Sequence, residues 1–251
     1  GVVPVTRSSI VSSVERIDGT NSVTLRFHLN NAGVFYVYSL SYDDKGYLCI
    51  DIKEKPSSLQ NTVIMLDAGH GGTSPEGVRD VGTAGKGIAE KLITLQLVKK
   101  IQALLVAQGA TVILTRDSDT YLSIQQRRQL TYQYSPDLFL SIHCDGSEDI
   151  RANGTRSFYY KCFSKDYADA LHEALYDTYT NELGRTITNR ASAYYVFAVT
   201  RTEVCPSVLL ETGFLTNISG TSNDFTTLTS EAGQNAIAAA VVRGIENYYG
   251  F

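Results

Sequence analysis

From Thr62 onward the sequence repeats one pattern to its C terminus: a short apolar run, then a longer amphipathic stretch. This alternation constrains the fold more than any other feature. Strands separated by helix-length segments close a largely parallel sheet and cover both of its faces. "TVIMLDAGH" reads as a strand ending in a glycine turn. In "EKLITLQLVKKIQALLVAQG", Ile93, Leu97, Ile101, Leu104 and Leu105 share one helical face, and Gly109 is the stop. "ATVILTR" is a strand, and "SIQQRRQLTYQY" opens with Ser123 and Gln126 at capping-box spacing. "DLFLSIH" and "SVLLETGF" are strands, with "GTRSFYYKCF" and "YYVFAV" as weaker ones. "SKDYADALHEALYDTYTNEL" and "SEAGQNAIAAAVVRGIENYY" are helices. The expected fold is α/β: a mostly parallel sheet flanked by helices on both faces.

Residues 1–56 obey a different rule. "SVERIDGTNSVTLRFHL" alternates apolar and polar residues around the turn signal "DGT", the pattern of short antiparallel strands. A β segment this small is marginal as an independent fold. It is expected to be the end of a longer β domain or a β unit docked on the α/β domain. "KEKPSSLQN", Lys53 to Asn61, reads as a linker.

In sheets of the kind expected from Thr62 on, ligands bind beyond the carboxyl ends of the strands. Three apolar runs end in chemistry there: "VIML" leads to His70, "LFLSI" to His143 and "SVLL" to Glu211. A fourth candidate, Glu90, opens the first long helix after a glycine-rich loop. Two imidazoles and a carboxylate, with water in the fourth position, form a recognised catalytic zinc environment. A further carboxylate near that water can serve as general base. His28 lies in the β segment and His172 within a helix, so neither ends a strand at the presumed site. The four cysteines, Cys49, Cys144, Cys162 and Cys205, lack metal or disulfide spacing and read as free, mostly buried thiols. Cys144 comes directly after His143 and so points to the opposite face of its strand.

With these residues in view the chain is identified as resembling a family. "LDAGHGG", "AEKLITLQLVKKIQALLVAQGATVILTRDSDTYLS", "PDLFLSIHCD" and "CPSVLLETGFLTN" are similar, in that order, to the zinc-dependent N-acetylmuramoyl-L-alanine amidases of the amidase-3 family. The resemblance runs from about Thr62 to the C terminus. It implies a phosphorylase/hydrolase-like fold and a catalytic domain over 62–251. The implied activity is hydrolysis of the amide joining N-acetylmuramic acid to the L-alanine of the stem peptide. It further implies one Zn2+ held by His70, Glu90 and His143, with Glu211 as catalytic acid/base. Residues 1–56 weakly resemble the end of the β-rich wall-targeting domains that precede many such amidases.

Two departures from the family pattern stand out. The segment between His70 and Glu90 is longer than in many relatives and carries a competing carboxylate, Glu76. Between Asp145 and Ala193 there is room for one strand and one helix only, so no segment is available to plug the zinc site, which is expected to be open. The runner-up activity is a zinc peptidase acting within the stem peptide. A non-catalytic wall-binding protein on the same scaffold is a third class, disfavoured because all four site residues are present.

The partner is expected to be peptidoglycan. A net charge of −4 gives no electrostatic footprint for nucleic acid, and no apolar run is long enough for a membrane span. The opening "GVVPV" reads as a processed or engineered start. The expected location is extracellular or in the cell wall, with any signal peptide removed or outside this sequence. Oligomeric state cannot be read from these residues.

Overall fold

The computed structural model describes residues 2–3, 10–30, 35–42, 44–220 and 222–251. The chain divides into two compact units, Gly1–Pro56 and Ser57–Phe251. In the first, β1 (Val2–Val3), β2 (Val11–Asp18) and β3 (Val23–Leu29) form an antiparallel sheet. A separate antiparallel pair joins β4 (Phe35–Tyr42) to β5 (Leu48–Glu54). The β2–β3 pair exposes Ile17, Val23 and Leu25 and buries Val14, as expected of a sheet too small to enclose a core.

The second unit begins with β6 (Val63–Ala68). Next is a loop containing the two-residue strands β7 (Ala84–Gly85) and β8 (Ile88–Ala89). Then come α1 (Glu90–Ala107), β9 (Thr111–Leu114), α2 (Ile124–Tyr134), β10 (Leu138–Asp145), β11 (Thr155–Tyr159) and α3 (Lys165–Asp177). The chain finishes with β12 (Asn189–Tyr194), β13 (Ser207–Phe214), α4 (Asp224–Thr229) and α5 (Glu231–Tyr249). The six-stranded sheet has the order β12-β11-β13-β10-β6-β9. Every pair in it is parallel except β11 with β13. This is the mostly parallel, helix-flanked sheet that the alternating pattern requires.

Alternation along the strands sorts the two faces. Met65, Phe139 and Leu209 cluster on one face with Val199 and Cys205, and Leu130 of α2 packs against them. On the other face lie Leu66, Leu140 and Leu210, all buried, beneath α1, α3 and α5. Helix α1 buries Ile93, Leu97, Val98, Ile101 and Leu105. Leu104, expected on that face, is 40% exposed, because it sits at the margin of the stripe in the last turn. The Ser123–Gln126 box is formed: the Gln126 N–H donates to the Ser123 hydroxyl, and the Ser123 N–H donates to the Gln126 side chain. "YYVFAV" is not a strand. β12 ends at Tyr194, where the run was expected to begin pairing, and Ala198–Thr200 is a single tight helical turn.

Asp67, at the end of β6, anchors the sheet to α2. Arg127 Nη1 donates to it at 2.6 Å, as do the hydroxyls of Thr115 and Ser141, each at 2.6 Å. Burial alone would raise the Asp67 carboxyl, but the Arg127 charge and these donors outweigh it and hold it below its ordinary range. A carboxylate with a depressed folded-state pKa stabilises the fold above its unfolded value, near 3.8, and that contribution is lost as pH falls below it. Arg127→Met leaves the buried Asp67 carboxylate without its counter-ion, though still bonded to Thr115 and Ser141, and is expected to cost about 3–5 kcal/mol. Denaturant melts at pH 7 check this, and the gap between variant and wild type should narrow below about pH 4.

Candidate metal centre

The loop that leaves β6 is shaped for close approach. His70, Gly71 and Gly72 have φ of 60°, 125° and 63°. A Cβ at Gly69 would come within 2.6 Å of His143 Nε2, so only glycine lets the backbone pass there. Arg127 Nη2 holds the His70 carbonyl at 2.8 Å, which sets the turn. His143 arrives by a different route, on β10, where it pairs in register with Glu211 of β13. Glu90 opens α1, where the helix dipole favours a carboxylate.

These three segments bring His70, Glu90 and His143 together, with one donor atom of each within 4.8 Å of the others. His70 Nε2 lies 3.2 Å from Glu90 Oε2, and His143 Nδ1 lies 2.9 Å from Glu90 Oε1. Two backbone N–H groups also donate to the carboxylate, Thr83 to Oε2 at 2.8 Å and Cys144 to Oε1 at 3.0 Å. Burial would raise the Glu90 carboxyl. The hydrogen bonds and charges of His143 and His70 overcome it, and Glu90 stays ionised far below its usual range. Gly82, at φ 69°, closes the cradle: a Cβ there would lie 2.6 Å from His70 Cδ2 and closer still to Glu90 Oε2. Glu76 is elsewhere, fully exposed in the turn that Ser74 and Val78 close.

Asp80 was not anticipated from the sequence. Its Oδ1 lies 2.6 Å from His70 Nδ1, the far side of the ring from Glu90. This is the carboxylate–imidazole arrangement that orients metal-binding histidines. "VRDVG" is aperiodic loop, and no local signal places Asp80 against His70. Asp80→Asn is expected to weaken metal affinity at the cluster about 10- to 100-fold. Competition with a chromophoric chelator measures it, and unchanged affinity would remove Asp80 from the site.

Glu211 lines the same cleft, a cavity of 590 Å³ that also includes His70, Glu90, His143, Asp145 and Phe197. Its Oε2 is sealed from solvent and has no hydrogen-bond partner among the described residues. Burial first, then the charges of Glu90 and Asp145, push the Glu211 carboxyl well above its ordinary range. The other sequence candidates are accounted for. His172 is buried against Asn189 at 2.8 Å, and His28 is near Glu15 in the first unit. Cys144 and Cys205 are buried, Cys162 is exposed, and the Cys49 side chain lies outside the described residues.

The family profile described as N-acetylmuramoyl-L-alanine amidase matches residues 64–247. The chain belongs to the amidase-3 family. Among curated relatives, the probable cell wall amidase LytH of Staphylococcus saprophyticus is 31% identical over 191 residues, covering 76% of this chain. The N-acetylmuramoyl-L-alanine amidase LytC of Bacillus subtilis is 32% identical over 187 residues, covering 74%. The matches span 60% of that LytH and 35% of LytC. The catalytic domain of the amidase CwlV from Bacillus (Paenibacillus) polymyxa superposes with a TM-score of 0.65 at 31% identity. It covers 74% of this chain and 97% of its own. All of the residues gathered in this amidase-3 cleft lie inside the matched span.

Proposed function

We propose that the Ser57–Phe251 unit is a zinc-dependent N-acetylmuramoyl-L-alanine amidase. In this reading it hydrolyses the amide between the lactyl group of N-acetylmuramic acid and L-alanine in peptidoglycan. The observation that carries it is the convergence of His70, Glu90 and His143 within 4.8 Å beside the buried, unpartnered Glu211. The three donors fit one zinc ion: two imidazoles and a carboxylate, with a glycine cradle and an oriented His70 behind them. Bound there, zinc supplies a Lewis-acid charge that polarises a carbonyl and lowers the pKa of coordinated water to about 7.

The chain's own residues do the rest. In its ionised form the Glu211 carboxylate takes a proton from the attacking water; burial beside Glu90 and Asp145 raises its affinity for that proton, which it then gives to the departing alanine nitrogen. The segments around Tyr121–Ile124 and Phe197–Val199 wall the cleft and position the muramoyl peptide. Among the described residues the metal cluster has three donors and no fourth. We read the site as open to substrate without an activator, and a crystal with a protein side chain as fourth ligand would overturn that. The Gly1–Pro56 unit we read as the end of a wall-targeting β domain, which fits action outside the cell, at the wall.

Digestion of purified peptidoglycan by the zinc-loaded chain tests the function. New L-alanine amino termini with unchanged glycan reducing ends are expected. New amino termini at other stem residues would instead indicate a zinc peptidase.

A further inference from the structure

The segment after β12 is where the structure departs most from the sequence pattern. "YYVF" is apolar enough to suggest a buried strand, yet Tyr194, Tyr195 and Val196 are 58%, 49% and 49% exposed. Tyr194 is the last residue of the edge strand β12, and Tyr195 and Val196 follow it directly. Two neighbouring tyrosine rings and a valine thus stand together at the surface, where apolar groups are available to a ligand.

The exposed rings are continuous with the catalytic cleft. Phe197 lines the cleft, and its ring lies 4.5 Å from that of Tyr195. Phe158 braces both, at 5.7 Å from Tyr195 and 5.1 Å from Phe197. On the outer side Tyr194 stacks on Tyr160 at 5.7 Å and 27°. The platform is held in place before any ligand arrives. The Arg201 guanidinium lies 5.4 Å over Tyr160 and also donates to the Val196 carbonyl. The Tyr195 N–H donates to the Tyr159 carbonyl at 2.9 Å.

We propose that the Tyr194–Tyr195 ledge is a saccharide subsite that carries the glycan strand of peptidoglycan as it leaves the cleft at Phe197. The proposal rests on the amidase reading, because that reaction places a pyranose next to the bond being cut. A pyranose has an apolar C–H face and a rim of hydroxyls. Tyr rings match it with a flat apolar face and a phenol at the edge, the combination suited to sites that are half apolar and half wet. A stem peptide offers no such repeated flat face. Fixed rings also lose little conformational freedom on binding, so the ledge adds affinity at low entropic cost.

The test uses the whole chain and peptide-free glycan oligosaccharides, which lack the scissile amide and are not turned over. Because the chain has no Trp, binding is tracked through tyrosine emission or tyrosine ring resonances. Tyr194→Ala with Tyr195→Ala is expected to weaken glycan binding and to raise KM on polymeric peptidoglycan, each by roughly 3- to 10-fold. The kcat on a single-sugar muramoyl dipeptide should not change. Tyr194→Phe with Tyr195→Phe keeps the ring faces and should retain most of the binding. Equal loss on polymer and on the single-sugar substrate would overturn the proposal. So would an unchanged glycan affinity, or a concentration-dependent dimer that the alanine variant abolishes. If wild-type protein releases no alanine amino termini yet still binds glycan through these tyrosines, the amidase reading fails and the ledge stands.

Discussion

Glu211→Gln is expected to lower turnover on peptidoglycan by about 10²- to 10⁴-fold, while the protein still binds one zinc per chain. The amide keeps the shape of the carboxyl and its place on β13 but cannot accept the proton of the attacking water. None of the three clustered donors belongs to Glu211, so metal content should survive. A second readout separates this from a damaged fold. The Glu211 carboxyl has a folded-state pKa raised well above its ordinary 4.5. Such a group costs stability increasingly as pH rises above that unfolded value. In metal-free protein at neutral pH, the glutamine variant should therefore melt no lower than wild type. Turnover retained within about tenfold would remove Glu211 from the proton path.

Glu90→Ala is expected to abolish zinc binding at micromolar protein and hydrolysis with it. The side chain is both a donor and the contact point of the two imidazoles, at 3.2 Å from His70 and 2.9 Å from His143. Its removal also strands the N–H groups of Thr83 and Cys144. The loss should exceed the roughly 10- to 100-fold expected of Asp80→Asn, which only orients a ligand. Glu76→Ala should leave zinc content and turnover unchanged, because Glu76 is exposed and outside the cluster. Metal analysis of the two variants side by side decides between the carboxylates. Zinc retained by Glu90→Ala and lost from Glu76→Ala would reverse the ligand assignment.

What could be read from the sequence was whatever repeats or sits at a strand end. The apolar runs gave β6, β10 and β13, and the 3.6-residue spacing gave α1, so the positions of His70, His143 and Glu211 relative to one sheet edge were legible. What stayed hidden depends on contacts between distant segments. Asp80 lies in an aperiodic loop and acquires its role only when the chain folds it back onto His70. Arg127 looks like one more charge on a polar helix, but its guanidinium is buried and bonds Asp67, Ala68 and His70 across the sheet end. The antiparallel entry of β11 is equally silent, since period-two alternation carries no direction. "YYVFAV" misleads for a related reason: apolar content predicts burial, whereas here it marks exposed rings beside the cleft.

The left-handed backbone at His70 makes the two imidazole positions unequal for any redesign. In the proposed centre a residue at position 70 must both ligate and tolerate φ of 60°, and few side chains other than Asn, Asp and His enter that region readily. Cys or Glu placed there would bring a donor atom together with backbone strain. Position 143 lies on β10, at the edge of a break in its register with β13, but without a left-handed backbone, so it carries no such double requirement. Drift in the donor set, whether by selection for another metal or by deliberate exchange, therefore has its cheaper route through β10, and the turn after β6 is the part of the centre that resists change.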